Sequence, residues 1–338
     1  NESFTYRASA TAILQEGIIN NSNSENYIAR FQGTQKLSDK LTSTINLNIS
    51  SLDRDYNNGG RIAEAITRRP TDPIYTDNPL FTDVGSYFID PNSFSYINPV
   101  ARTEEIIDGD LTNNIFTSLR LEYEIFDGLT ATAFGSWRKT NREYQSYVSP
   151  RTTREDARNL GETESVNDIN QLPDGIATVA NDVSDEKLYN LILNYKKDFG
   201  DHSIDVLGVN EWQKQVYNGG SSTVRGFIVD DPSNIYAMQS ADATLYRQGD
   251  ISSYKNDRTL ASFLGRVNYS YMGKYYASAS IRRDGSSVFG ANNKWANFYA
   301  GSLAWRISDE GFMDAVDVID NLKLRVGYGE TGNQQGLG

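Results

Sequence analysis

The sequence predicts an all-β protein: an antiparallel, up-and-down transmembrane β-barrel wall of about eleven strands. Three observations carry that reading. Apolar and polar residues alternate over most of the chain, and a period of two places the two sets on opposite faces of a sheet. The connections between the alternating stretches are by turns short and long. Aromatic residues cluster at two heights along the stretches, as they do where a barrel wall meets the two surfaces of a bilayer.

The strands follow in order. Alternation marks 3–14 and 25–37, then 40–52, where Leu41, Ile45, Leu47 and Ile49 oppose Thr42, Thr44, Asn46 and Asn48. It is clearest in 113–126, with Ile115, Leu119, Leu121 and Tyr123 on one face and Ser118, Arg120, Glu122 and Glu124 on the other. The same period places strands over 129–147, 185–197 and 202–217. The next is 258–271, where Phe263, Val267 and Tyr269 oppose Ser262, Arg266 and Asn268. The last three span 274–284, 295–307 and 322–330. Helical periodicity is almost absent; the best candidate is 308–320, with Ser308 as a cap.

Tight links occur at Ser38-Asp39, Asp127-Gly128, Asp198-Phe199-Gly200-Asp201 and Met272-Gly273. Between them fall moderate links at 15–24 and 285–294 and long loops at 53–112, 148–184 and 218–257. Only 308–321 breaks the rhythm. Short turns at one rim and long loops at the other are the mark of an outer-membrane barrel. Phe126, Tyr195, Phe199, Tyr271, Tyr275 and Trp305 lie near the tight turns, with Trp137, Trp212 and Tyr27 about nine residues further up, the span of a tilted transmembrane strand. The opposite face carries Arg7, Arg30, Arg120, Arg138, Arg266, Arg282, Arg306 and Arg325. Unpaired charges do not pack in a dry core, so that face is wet. The alternative is a soluble β-sandwich with one solvated face.

Composition narrows the function. The 338 residues carry a net charge of -12, which argues against a nucleic-acid partner. With no Cys and a single His, His202, there is no disulfide framework, thiolate site or multi-histidine metal centre. No nucleophile elbow, zinc-protease motif or phosphate loop is present, so an enzyme is not expected. Neither end reads as a signal peptide or a natural terminus, and the chain is expected to be a segment of a longer one.

One ion is suggested by spacing. Asp53, Asp55 and Asn57 occupy positions one, three and five of a calcium loop, and Glu64 falls at position twelve. No flanking helices accompany it, so the alternative is a polar loop. No other cofactor is expected. The long loops also hold Tyr75, Tyr87, Phe88, Tyr96, Phe227 and Tyr236. Such rings beside Asp and Asn can stack on a ligand or dock a protein partner, or can form small cores that keep the loops ordered.

The most specific words are in the last third. Arg282-Arg283-Asp284-Gly285-Ser286-Ser287-Val288-Phe289-Gly290 precedes Asn292-Asn293-Lys294-Trp295. Ala304-Trp305-Arg306-Ile307-Ser308 and Glu310-Gly311-Phe312-Met313 follow. Leu322-Lys323-Leu324-Arg325-Val326-Gly327-Tyr328-Gly329 then runs into Thr331-Gly332-Asn333-Gln334. Together with Gln15-Glu16-Gly17-Ile18-Ile19 and the Arg69-Pro70 to Asn98-Pro99-Val100-Ala101 series, this closely resembles the SusC/RagA-like TonB-dependent outer-membrane transporters of Bacteroidetes. The words themselves read as fold determinants, with positive-φ turns expected at Asp284-Gly285 and Gly290. The resemblance implies a barrel of about 22 strands filled by a plug, of which 1–338 is a mid-barrel part of a single domain. It implies active import of an oligosaccharide or peptide, a SusD-like lipoprotein lid on the outer loops, and energy from TonB–ExbB–ExbD. The alternative is a passive or structural outer-membrane barrel: a porin, an adhesin or an assembly partner.

Overall fold

The computed structural model describes residues 3–56, 60–78, 86–88, 98–149, 175–290, 292–314 and 318–332. Eleven strands form one antiparallel sheet, each paired with its neighbours in sequence. They are β1 (Phe4–Glu16), β2 (Asn23–Lys36), β3 (Leu41–Asp55), β4 (Ile106–Phe126), β5 (Leu129–Val148) and β6 (Ile176–Phe199). After them come β7 (His202–Arg225), β8 (Ile251–Tyr271), β9 (Tyr275–Ser286), β10 (Trp295–Arg306) and β11 (Lys323–Gly329). The expected up-and-down wall is therefore what forms.

The ladder registers carry the expected alternation across the whole wall, because directly paired residues share a face. One face runs through Ile45, Leu119, Gly135 and Tyr189 in successive pairs. Further along, Gly208, Gly265, Ile281 and Tyr299 continue it. The other face pairs Thr44 with Arg120 and Arg120 with Phe134. The apolar face has no second layer over it: Leu303 is 66% exposed and Val326 68%. That much uncovered apolar surface is what a bilayer covers, and it removes the soluble sandwich, whose second sheet would have to hide it. No described helix is long and apolar enough to cross a membrane, which says nothing of crossing by strands.

The short rim is built from backbone geometry that few residues tolerate. Gly128 has φ +87°, and Met272 and Gly273 have φ 52° and 67°. Positive φ at both central positions is the type I′ hairpin turn, whose twist matches that of the strands. Aromatic rings line the same rim: Tyr275 stacks between Tyr271 and Trp305, with centroids 6.3 and 6.4 Å away.

Four features differ from expectation. β4, β6, β7 and β8 all run further toward the long-loop rim than alternation indicates, so the loops are shorter than 53–112, 148–184 and 218–257. Above the lipid belt both faces are wet, so pairing continues through segments such as Asn218-Gly219-Gly220-Ser221-Ser222 with no apolar signal. Strict alternation sets Phe126 on the face opposite Ile125, but a register shift between Glu124 and Phe126 brings its ring 6.3 Å from Tyr195. Residues 308–320 form no α-helix, only single 3-10 turns at Ile307–Asp309 and Gly311–Met313. The described α-helices are instead α1 (Gly60–Thr67) and α2 (Pro99–Glu105), both within the first long loop. Finally, Gly285 and Gly290 are not among the positive-φ glycines. Gly285 lies within β9 opposite Trp295, where an added Cβ would come 2.8 Å from the indole.

Candidate functional site

The chemistry-bearing side chains gather at the long-loop rim, above the ring of Trp137, Tyr189 and Trp212. Three clusters build it. The first ties the upper ends of β3, β4 and β5 together at Asp110, whose side chain has 0% exposure. Arg54 donates Nε and Nη2 to its two oxygens, both at 2.9 Å. Arg142 donates Nε at 2.7 Å and Thr112 its hydroxyl at 3.0 Å. Tyr56 donates its phenol. Burial alone would raise the Asp110 carboxyl; the Arg54, Tyr56, Arg142 and Thr112 donors outweigh it and hold the group well below the usual carboxylate range. Arg142 also reaches Asp182 on β6 at 3.7 Å.

The second cluster orders the first long loop. Asn98 caps α2, its Oδ1 accepting from the Val100 and Ala101 amides, and Pro99 follows at the first helical position. Its Nδ2 donates to the carbonyls of Ile74, at 2.8 Å, and Phe88, at 3.2 Å, pinning the segment that carries Tyr75 and Tyr87. Those two residues bridge each other, with rings 5.4 Å apart. The Tyr87 phenol donates to Glu104 and Glu105, each at 3.0 Å. Burial first, and these carboxylates second, push the phenol above its ordinary range and keep it neutral. An Arg68 guanidinium lies 5.7 Å over the Phe88 ring. Arg102 of α2 pairs with Glu64 of α1.

The third cluster lies under the loop between β7 and β8. Tyr147, Ala177, Phe227 and Ile235 form a small buried core. Tyr147 donates to Asp230 at 3.0 Å, and Ser149 to the other oxygen at 2.8 Å. Burial, with Asp230 alongside, pushes the Tyr147 phenol up to about 12. A buried Arg225–Asp250 pair at 2.7 Å anchors both ends of the loop.

The sequence-nominated residues thus divide. Tyr87 and Phe227 are buried in the cores of their own loops, while Tyr75 and Tyr236 are exposed at the rim. Phe88 lies between, and Tyr96 is outside the described residues. Of the calcium series, Asp53 and Asp55 are exposed on β3, paired with Leu111 and Gly109, and Glu64 is engaged by Arg102. Asn57 lies outside the described residues. Among the described residues no three acidic, His or Cys side chains group to hold a metal ion. The Asp110 cluster escapes sequence reading, because its arginines come from positions 54 and 142; the Asn98-Pro99 cap carries a recognisable helix-start signal.

No family model matches the chain. It is 29% identical, over 99% of its length, to TonB-dependent receptor P26 of Formosa agariphila, and covers 32% of that protein. It is 25% identical, over 97% of its length, to TonB-dependent receptor SusC of Bacteroides thetaiotaomicron, again covering 32%. Among solved structures it superposes on a chain of the RagAB peptide transporter with a TM-score of 0.73 and 18% identity, covering 98% of its own length and 35% of that chain. The chain spans about a third of the length of the curated relatives it matches.

Proposed function

We propose that the chain is part of a SusC-like TonB-dependent receptor of the bacterial outer membrane, as its similarity to such receptors supports, and that it supplies wall, lumen lining and lid-docking loops to an active nutrient importer. The observation that carries this is the division of the wall. One face is predominantly apolar, the other is lined by arginines and amides, and the three longest loops all leave at one rim. In this reading the long-loop rim is extracellular and receives a SusD-like lipoprotein. The exposed rings of Tyr75, with Glu104 beside it, and of Tyr236, with Gln145 beside it, meet the lid or the cargo. Cargo is an oligosaccharide or a peptide, classes that an aromatic rim with hydrogen-bonding groups can hold. TonB–ExbB–ExbD acts on the plug, which these eleven strands do not include.

The test uses the full-length receptor in cells. Removing residues 60–104 leaves the β3–β4 ladder, which closes at the Asp55–Gly109 pair. Lid capture and uptake should fall while the barrel still assembles and migrates anomalously without heating; normal uptake by that deletion overturns the loop assignment. Deleting TonB separates the passive barrel from the active one. Uptake that persists without TonB identifies a porin-like barrel, and uptake that stops supports import.

A further inference from the structure

The paired arginines of the Arg282-Arg283-Asp284-Gly285 word are thrown to opposite faces by the strand period. Arg282 points to the wet face and is well supplied. Its Nε donates to both Asp284 oxygens at 2.8 Å, and its Nη2 donates to Ser262 at 3.1 Å. Arg283 points to the lipid face, where none of the described residues gives it a carboxylate. Its guanidinium lies 5.2 Å over the Trp295 ring, and that ring is 6.2 Å from Phe263. Trp295 can lie there because Gly285 has no Cβ to block it.

The ladder extends this into a row. Asn210, Phe263, Arg283 and Asn297 are successive direct partners across β7, β8, β9 and β10. Three polar groups in register on an otherwise apolar face need a polar counterpart in the bilayer. Their height supplies one. Arg283 is eight residues above Tyr275 of the lower aromatic ring, and a strand crosses the apolar core in about nine to eleven residues. The row therefore lies at the upper edge of the apolar core on the long-loop side, from which the long Arg283 side chain reaches the headgroups. Beside the row and toward the short rim, a trough of about 820 Å³ opens between Leu191 and Leu121, which continue the same register, and Gly208, Gly265 and Ile281, its walls almost wholly apolar.

We propose that this face binds lipid A, the phosphorylated glycolipid of the outer leaflet. Arg283 takes a phosphate, for which a guanidinium is the matched donor. Asn210 and Asn297 hydrogen-bond the acylated sugar, and an acyl chain lies in the trough. The proposal rests on the outer-membrane reading but not on import.

The full-length receptor is purified from outer membranes in mild detergent, and retained lipid A is quantified by mass spectrometry. Arg283→Gln should lower retention about tenfold. Gly208→Leu should lower it by filling the trough, since nothing lies within 4 Å of its added Cβ. Lys187→Gln, which removes a lipid-side cation already paired with Asp185, should retain lipid A as the wild type does. Wild-type retention by Arg283→Gln overturns the proposal, as does equal displacement of lipid A by phosphatidylglycerol. If Arg283→Gln assembles poorly, Gly208→Leu decides alone, its retention falling or not. Absence of the receptor from the outer-membrane fraction sinks the outer-membrane reading and this proposal together. Its presence there with unchanged lipid A in the variants sinks the proposal alone.

Discussion

At Asp110 four donor side chains converge on one carboxylate that has no exposed surface. The two guanidiniums come from strands on either side of β4, so the cluster fixes the order of three strands just where lipid no longer does. Asp110→Asn would leave Arg54 and Arg142 without their shared counter-charge. Because both arginines are partly exposed and screened, the expected cost is about 2 kcal/mol rather than the full value for a buried pair. The pH dependence follows from the direction of the shift. The folded carboxyl titrates below its ordinary value, so its contribution is fully present above that value and is lost only as pH falls through the depressed folded one. Hydrogen exchange at residues 54–56 and 108–112 checks both statements. Protection, corrected for intrinsic rate, should be equal at pH 7 and pH 5 in the wild type and should fall at pH 7 in Asp110→Asn.

Within β4 a one-residue step changes the medium from lipid to lumen. Leu121 pairs with Ser43 and Ala133 on the apolar face, and Arg120 with Thr44 and Phe134 on the wet one. Leu121→Arg should cost about 2–4 kcal/mol of barrel stability, as an arginine does near the midplane, whereas Arg120→Gln should be mild. Equilibrium unfolding of the full receptor in lipid vesicles measures both, and equal losses would contradict the face assignment. That contrast of media is also why the strands are legible in the sequence: wherever lipid touches one face, alternation is enforced. It stops being legible where the contrast ends. Nothing apolar marks the β7 extension from Asn218 through Gly219 and Gly220 to Thr223, and no pattern announces the bulge that turns Phe126 outward. At the rim, the sequence shows that the loops hold aromatic residues but not which rings they bury. Tyr87 is drawn inward by Glu104 and Glu105, and Phe227 by Tyr147, partners set by pairing across long separations.

For the molecule as a whole, the parity of the strand count decides how the wall can close. Strands in an up-and-down sheet reverse at each connection, so β1 and β11 run in the same direction. Joining them would require one parallel pair in an otherwise antiparallel wall. Leaving them apart exposes two rows of unpaired amides and carbonyls to lipid, where each costs several kcal/mol. An odd number of further strands resolves this, and a barrel of about 22 supplies it. The 338 residues alone, refolded into detergent or liposomes, should therefore give no heat-modifiable barrel, and amides of β1 and β11 should exchange far faster than those of β6 and β7. In the full-length receptor the same β1 and β11 amides should be protected to the level of the central strands. A compact, heat-modifiable species formed by the 338 residues alone, with both edges protected, would mean that this sheet closes on itself and that the segment is a barrel in its own right.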